Sequence, residues 1–279
     1  MRRVFLLANP DKLEAKRALR KVETFAASKC EVVGAAVGID GRPAVDARAD
    51  RIIVFGGDGT LIGVARSLGS DQIPLIAVNV GKLGFLAEFS VDELKTTFDQ
   101  AVGDDSLCRH RMLLQVTLQH NGGVRDICVA LNDCVIQAGP PFRLVQLGVA
   151  VDGEHLTTVG GDGLIVCTPS GSTAHNLSAG GPIMHPGVDA IILTPLNPHS
   201  LTHKPLVIER DSVIDITAVV VYEGTTVIVD GQVSSRLEPD DRLTVKRFAA
   251  DCVLVHNPLH TNWYKLVTKL HWGRPPDYS

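Results

Sequence analysis

The pattern of apolar residues changes near residue 107, and this change constrains the fold more than any other feature of the sequence. In the first hundred residues, short β-branched runs alternate with segments of helical spacing. The strand-like runs are at 4–8, 51–55 and 75–80, and the helical segments are at 11–27 and 61–68. Such alternation predicts a parallel sheet with helices packed on it. A capping box at Ser90 and Glu93 predicts a further helix reaching Val102.

After residue 107 the apolar runs become short and closely spaced, and Gly, Pro and Asn-rich turns separate them. This pattern predicts an all-β, sandwich-like domain. Helical spacing returns at 261–270, and we expect this last helix to pack back on the first domain. The expected fold is therefore α/β plus all-β. A Rossmann-like domain is formed by 1–106 with 256–279, and a β-rich domain by 107–255.

Composition excludes several classes of protein. The 279 residues include 27 Lys and Arg against 31 Asp and Glu, and 45% of the chain is hydrophobic. A chain this apolar is not disordered, and its mixed charge is not that of a dedicated nucleic-acid or membrane-surface binder. The apolar run at 4–8 stops at Asn9-Pro10, too early for a signal peptide. The six cysteines form no C-x-x-C pair, so we expect reduced, buried thiols and a cytoplasmic location.

The segment VFGGDGT at 54–60 is the first that indicates chemistry. Gly56, Gly57 and Gly59 let backbone N–H groups approach a phosphate, and a helix opening at Thr60 would add its positive dipole. Asp58 would lie at the carboxyl end of a parallel strand, where open α/β sheets bind ligands. The alternative is a tight turn in which Asp58 only caps the helix.

Two further segments carry polar groups in apolar surroundings. Residues 160–186 repeat a G-G-D-G turn and continue into PSGSTAHNLSAGGP, whose many donors suit a ligand with phosphates and riboses. Asn132-Asp133 interrupts an apolar run and must find a ligand or a backbone network. The alternative for both is a structural turn. The Cys and His spacings match no zinc signature, and the basic segment 12–21 is interpreted as a solvated helix face.

Taken together, these segments resemble the bacterial-type NAD kinases, also called polyphosphate/ATP-NAD kinases, over essentially the whole chain. The motifs that carry the resemblance are GGDGT at 56–60, VNVGKLGFLAEF at 78–89, LNDCVI at 131–136, GDGLIVCTPSGSTAHNLSAGGPIMHP at 161–186, TPLNPHSL at 194–201, DGQ at 230–232 and the C-terminal KLHWG. GGDGT alone also occurs in lipid kinases and phosphofructokinases, but the combination is specific.

The resemblance implies phosphoryl transfer from ATP, or polyphosphate in some members, to the adenosine-ribose 2′-hydroxyl of NAD. It also implies a divalent cation, usually Mg²⁺, and assembly as a homodimer or homotetramer, with neither nucleic acid nor membrane as a partner. Asp58 takes the catalytic position. Because an aspartate is a weak base at neutral pH, we expect it mainly to accept a hydrogen bond from the attacking hydroxyl and to help position the metal and phosphates.

By the same resemblance, Asn132 and Asp133 would hold the adenosine end of NAD, and the segment around Thr173 would line the pocket across a subunit boundary. The full set of expected binding residues is Gly56, Gly57, Gly59, Thr60, Asn132, Asp133, Asp162, Ser170, Thr173, Ala174, His175, Asn176, Ser178, Asn197 and Gln232. The metal ligands are unknown.

Three positions depart from the family pattern. Gly160 stands where a basic residue is common, His175 replaces a tyrosine, and Asn197 replaces a small residue. They leave donor and acceptor preference open. Two alternative functions also stay open at this point: a catalytically silent NAD(P)-binding sensor, and a GGDGT-type kinase acting on a lipid or sugar hydroxyl.

Overall fold

The computed structural model describes residues 1–81, 84–120, 122–261 and 263–273. The chain divides into two compact units. The first contains Met1–His110 and Val253–Ser279, and the second contains Arg111–Cys252.

The secondary structure of the described residues contains eighteen strands and seven α-helices. The strands are β1 (Arg3–Ala8), β2 (Glu31–Val37), β3 (Arg51–Gly56), β4 (Leu75–Asn79), β5 (Cys108–Arg111), β6 (Leu114–His120), β7 (Gly123–Ala130), β8 (Asp133–Gln137), β9 (Val145–Val151), β10 (Glu154–Gly161), β11 (Gly163–Cys167), β12 (Ala190–Leu196), β13 (Leu206–Glu209), β14 (Ile214–Val220), β15 (Thr226–Val229), β16 (Val233–Arg236), β17 (Arg242–Arg247) and β18 (Cys252–Val255). The helices are α1 (Leu13–Ala26), α2 (Arg42–Asp46), α3 (Asp58–Leu68), α4 (Val91–Thr96), α5 (Phe98–Gly103), α6 (His175–Ser178) and α7 (Tyr264–Leu270).

The first unit is built on a six-stranded sheet with the order β2–β1–β3–β4–β18–β5. Strands β1 and β2, β1 and β3, β3 and β4, and β4 and β18 pair in parallel, which confirms the predicted parallel arrangement. Every residue of β3 is buried, as its β-branched sequence predicts for a central strand. Because β1, β3 and β4 are neighbours, their carboxyl ends lie side by side at one edge of the sheet.

Two local features of this unit differ from the sequence prediction. The strand β2 and the short helix α2 were not predicted. Strand β2 lies at the edge of the sheet, and its residues are at most half-buried although their sequence, EVVGAAV, is mostly apolar. The capping box is confirmed, with Glu93 N–H donating to Ser90 Oγ at 3.2 Å. The single predicted helix is wrong, however: it breaks at Thr97, whose hydroxyl bonds to the Glu93 carbonyl at 2.8 Å and competes with the helical backbone.

The second unit contains two antiparallel six-stranded sheets. One has the order β10–β9–β14–β17–β6–β7 and the other β13–β12–β11–β8–β15–β16. Apolar side chains of both sheets form one buried core; Leu114 and Leu147 come from the first sheet, and Ile136 and Leu164 from the second. The predicted sandwich-like domain is therefore confirmed.

The end of the chain returns to the first unit. Helix α7 places Lys265 against the Phe85 carbonyl, which confirms the expected packing of the C-terminal helix on the first domain. None of the described helices is both long enough and apolar enough to pass through a bilayer.

All six cysteines are free thiols. Four are buried as expected, but Cys108 and Cys128 are only half-buried. Burial raises the pKa of Cys252 to about 12, so this thiol stays protonated and packs as a small apolar side chain.

Candidate functional site

The first group of predicted site residues lies where β3 ends and α3 begins. The turn between them is Gly57, the N-cap residue of α3. A Cβ on Gly56 would overlap the side chain of Thr60, so only glycine fits there. Thr60 Oγ1 in turn accepts a hydrogen bond from Asn9 Nδ2 at 2.6 Å, which ties the end of β1 to the turn. The predicted glycine loop is therefore a tightly packed turn at the carboxyl edge of a parallel sheet, the edge at which open α/β sheets generally bind ligands.

The carboxylate of Asp58 is held by the loop that follows β4. Its Oδ2 accepts a hydrogen bond from Phe85 N–H at 2.6 Å, and its Oδ1 accepts from Leu86 N–H and Ala87 N–H at 3.0 and 3.1 Å. Gly84 lies so close that a Cβ there would overlap this carboxylate. The alternative role of Asp58 as the cap of its own helix is not what the structure shows. An ionised carboxylate has about four acceptor positions, and three are filled, so one is left for a ligand.

Lys12 lies beside the same turn. A Cβ on Gly57 would stand 3.4 Å from Lys12 Nζ, and one on Gly81 would stand 3.9 Å from it. Among the described residues, this ammonium has neither an ion pair nor a hydrogen bond. The carboxyl edge of the sheet thus presents an unpaired cation beside two glycines, one after β3 and one after β4.

The second group of predicted residues is in the second unit, at the turn between β7 and β8. Asp230 accepts hydrogen bonds from the N–H groups of Leu131, Asn132 and Asp133 at 2.9, 2.7 and 3.0 Å. The Asp230 N–H donates back to the Asp133 carbonyl at 2.9 Å. The turn is therefore fixed by a carboxylate that follows β15.

The side chains of this turn lack the partners that its backbone has. Asn132 Oδ1 is buried without a hydrogen bond from any described residue. Asp133 is 4% exposed, and no described residue forms an ion pair with it. Burial, and then the nearby charge of Asp230, raise the pKa of Asp133 to about 7. Two buried polar side chains at one turn thus lack partners among the described residues. Burying such groups without partners costs free energy, which a bound ligand with polar groups would offset.

The segment after β11 packs directly on this turn. The Asn132 carbonyl accepts a hydrogen bond from Thr168 N–H at 2.9 Å, and the Leu131 carbonyl accepts one from Thr168 Oγ1 at 2.6 Å. A Cβ on Gly171 would overlap the Asn132 carbonyl. The predicted residue Ser170 lies between Thr168 and Gly171 and is buried. Because both of these neighbours contact the Asn132 turn, Ser170 is close to it as well.

The remaining predicted residues of this segment differ in their surroundings. Asn176 is fully buried, and its amide bonds to the Ser172 and Pro182 carbonyls at 3.2 and 3.1 Å and to Thr194 Oγ1 at 2.6 Å. Within this chain it holds the loop. The other members are half-buried or exposed: Thr173, Ala174, His175 and Ser178.

Asp162 and Asn197 form a pair at the ends of two neighbouring strands, with Asn197 Nδ2 donating to Asp162 Oδ2 at 2.8 Å. Gly160 has open space where a side chain would stand. Gln232 is exposed and lies two residues after Asp230, in the turn between β15 and β16. The structure thus gathers the predicted residues into two groups, one in each unit.

Three contributors to these groups were not predicted. The Phe85–Ala87 amides and Asp230 lie within motifs already quoted, but their contacts join positions 27 to 99 residues apart. Lys82 and Leu83 of the 78–89 motif lie outside the described residues. Lys12 was interpreted as part of a solvated face.

A resident metal centre is not evident in the part of the chain that the structure describes. No three His, Cys, Asp or Glu side chains converge there as a cation would require. Asp58, the acid nearest the glycine turn, already accepts three backbone hydrogen bonds.

Comparison with known proteins gives a consistent result. Residues 7–106 match the family model of the ATP-NAD kinase N-terminal domain, and residues 131–256 match that of the ATP-NAD kinase C-terminal domain. The NAD kinase of Geotalea daltonii is 40% identical over 83% of this chain and 82% of its own length. The NAD kinase of Trichlorobacter lovleyi is 39% identical over 94% and 90%.

Solved structures show the same similarity. The yeast NADH kinase complexed with NADH matches with a TM-score of 0.88 at 26% identity, covering all of this chain and 90% of that one. An NAD kinase from Archaeoglobus fulgidus in complex with ATP shares the fold, with a TM-score of 0.72 over 92% of this chain and 94% of that one, at 24% identity.

Proposed function

The chain belongs to the ATP-NAD kinase family, and we propose that it catalyses the phosphorylation of NAD by ATP. The 2′-oxygen of the adenosine ribose forms a bond to the γ-phosphorus, the bond from that phosphorus to the β–γ bridging oxygen breaks, and the hydroxyl proton is released. The products are NADP and ADP. We assign the glycine loop to a domain of 1–106 with 256–279, and the NAD contacts to a domain of 107–255.

The observation that carries this assignment is the geometry of Asp58. Its carboxylate is fixed by three backbone donors and keeps one acceptor position. We assign that position to the attacking hydroxyl, which would donate its proton in a hydrogen bond and be oriented by it. Phosphoryl transfer has a loose transition state that demands positioning more than a strong base, so a fixed acceptor suffices.

The donor phosphates require positive groups, and Lys12 with the backbone of Gly56, Gly57 and Gly59 supplies them. The Lys12 ammonium is unpaired among the described residues and lies against Gly57. The absence of a side chain at Gly57 lets phosphate oxygens approach the turn beside Lys12, whereas the space at Gly56 is taken by Thr60. Thr60, held by Asn9, keeps the turn rigid.

The acceptor dinucleotide is assigned to the Asn132 turn. A ribose hydroxyl other than the attacking one would donate a hydrogen bond to the Asp133 carboxylate. The adenine amino group would donate to Asn132 Oδ1, which is buried without a partner among the described residues. Ser170, Thr173, Ala174, His175 and Ser178 would extend this surface, and Asp162, Asn197 and Gln232 would be peripheral to it. Asn176 supports the loop from within, since its amide is already hydrogen-bonded.

Family membership implies a divalent cation, and we propose Mg²⁺. Because no preformed centre exists among the described residues, the cation fits best as part of the MgATP substrate, held mainly by phosphate oxygens. We propose a homodimer or homotetramer, consistent with the exposure of His175 and Ser178. The six free thiols support a reducing compartment, which we propose is the cytoplasm.

The test is NADP formation from NAD, ATP and Mg²⁺, measured with a coupled NADP-specific dehydrogenase. Asp58→Asn should lower kcat by about 100-fold or more, because the amide presents a donor where the hydroxyl needs an acceptor, while NAD binding persists. Asp71→Asn, an exposed acid in the same unit, is the control. Binding of NAD without turnover, with polyphosphate also tried as donor, would refute the kinase and favour a sensor.

A further inference from the structure

One peptide unit in the loop after β4 connects Asp58 to the C-terminal helix. The Leu86 N–H of this unit donates to Asp58 Oδ1 at 3.0 Å. The Phe85 carbonyl at the other end of the same unit accepts a hydrogen bond from Lys265 Nζ. A cation on the carbonyl polarises the peptide and strengthens its N–H as a donor.

Lys265 is itself held in place by a buried carboxylate. Its Nζ lies 3.4 Å from Glu88 Oε1. The other oxygen of Glu88 accepts hydrogen bonds from His256 Nδ1 at 2.7 Å and from Asn257 N–H at 2.9 Å. Asn257 Nδ2 also donates to the Glu88 carbonyl at 3.0 Å. The carboxylate therefore joins residues after β18 to the loop that carries the Asp58 donors.

The His256 ring connects this cluster to the backbone of residue 260. Its Nδ1 faces the Glu88 carboxylate, and its Nε2 lies 3.0 Å from the His260 carbonyl. Both partners are hydrogen-bond acceptors, so the ring is held between the Glu88 side chain and the His260 carbonyl. Glu88 thus faces the Lys265 ammonium on α7, which also reaches the Phe85 carbonyl.

From this geometry we propose that Lys265 is a positioning residue for the reaction: it fixes the Phe85–Leu86 peptide, and this peptide fixes the Asp58 carboxylate. The inference rests on the proposed function, because it assumes that Asp58 orients the attacking hydroxyl. Without the ammonium, the peptide can rotate, and the acceptor position of Asp58 moves. A shift of this kind slows the chemical step and leaves the affinity for either substrate unchanged.

The experiment compares Lys265→Met, Lys265→Arg and Lys269→Met with the wild-type chain. Lys269 is on the same helix and lies over the Phe85 ring, 5.8 Å from its centroid, rather than at its carbonyl. We expect Lys265→Met to lower kcat about tenfold with KM for NAD and ATP unchanged, Lys265→Arg to restore most of the activity, and Lys269→Met to behave as wild type. Thermal unfolding of all four proteins identifies variants that are merely unstable.

A double-mutant cycle identifies the route of the effect. If Lys265 acts through Asp58, Lys265→Met should have little further effect on the residual kcat of Asp58→Asn. Equal losses in both backgrounds would overturn the proposal, as would an unchanged kcat in Lys265→Met. Failure of the wild-type chain to form NADP would instead refute the proposed function, so the two failures are distinguishable.

Discussion

Two buried carboxylates, one in each unit, have opposite surroundings. Glu88 in the first unit and Asp133 in the second are 8% and 4% exposed. Burial alone would raise the pKa of Glu88, but the His256 hydrogen bond, the Lys265 charge and the Asn257 N–H together lower it to about 2. Around Asp133 burial is reinforced by the negative charge of Asp230, and its pKa rises to about 7.

The difference separates a carboxylate whose partners lie within the chain from one whose partners, on the function proposed above, are supplied by the substrate. Glu88 already has its hydrogen bonds and opposite charges within the chain, so nothing needs to be added. Asp133 is desolvated beside a like charge, which destabilises its ionised form in the free protein. On the proposed function, the Asp133 carboxylate gains hydrogen-bond donors when a molecule with hydroxyl groups binds beside it.

The largest effect is expected from Asp133→Asn, which changes activity and stability in opposite directions. The substitution replaces one carboxylate oxygen by an NH2 donor and removes the charge that accepts from the ribose, so it should lower kcat/KM for NAD by about 100-fold, the scale of a lost hydrogen bond to a charged group. The substitution should also raise the free energy of unfolding at pH 8, because it removes a buried charge beside Asp230. Coupled assays and urea unfolding measure the two effects, with the exposed Glu154→Gln as control.

The sign of the stability effect follows from the pKa shift. The pKa of Asp133 rises from 3.8 to about 7 on folding, so between these values the unfolded chain releases a proton that the folded chain keeps. Stability is therefore complete below about pH 4 and falls as the pH rises to 7, by about 4 kcal/mol in total. Wild type and Asp133→Asn should differ by this amount at pH 8 and agree near pH 4. If the free energies of unfolding of the two proteins differ by the same amount at pH 4 and pH 8, the pKa of Asp133 is not raised by folding and the contrast with Glu88 is wrong.

The next largest effect is expected from Glu88→Gln, and its pH dependence is the reverse. The pKa of Glu88 is lowered from 4.5 to about 2, so its contribution is present above about pH 4.5 and is lost as the pH falls toward 2. The amide should lower the free energy of unfolding at pH 7 by about 3 kcal/mol. Urea unfolding from pH 7 to pH 3 measures this loss, and the exposed Glu14→Gln is the control. If Glu88→Gln has the same free energy of unfolding as wild type at pH 7, the Glu88 carboxylate does not stabilise the fold.

The sequence alone predicts the sheets and the glycine turn, but not the surroundings of the two buried carboxylates. Periodicity predicted the parallel and sandwich-like sheets, and the glycine motif predicted the turn at Gly56, because both depend on residues close in the chain. The environments of Glu88 and Asp133 depend on groups about 97 to 169 residues away. An isolated acid in an apolar run shows that a partner is needed, but not whether the chain or a ligand supplies it. The surroundings of Lys12 were not predicted for the same reason, since its neighbours Gly57 and Gly81 follow other strands.

The smallest effect is expected at Lys12, which can be compared with Lys265 as Asp133 was compared with Glu88. Lys265 has its partners within the chain, whereas Lys12 has none among the described residues. If unpartnered charges mark ligand contacts, Lys12→Met should raise KM for ATP about tenfold, the scale of one charge-assisted hydrogen bond to phosphate. The free energy of unfolding should stay within about 0.5 kcal/mol of wild type, since no internal contact is lost. Lys16→Met, one turn further along α1, is the matched control, and steady-state kinetics at fixed ionic strength give the answer. An unchanged KM for ATP would limit the rule to buried groups, because Lys12 is only half-buried and water can then serve as its partner.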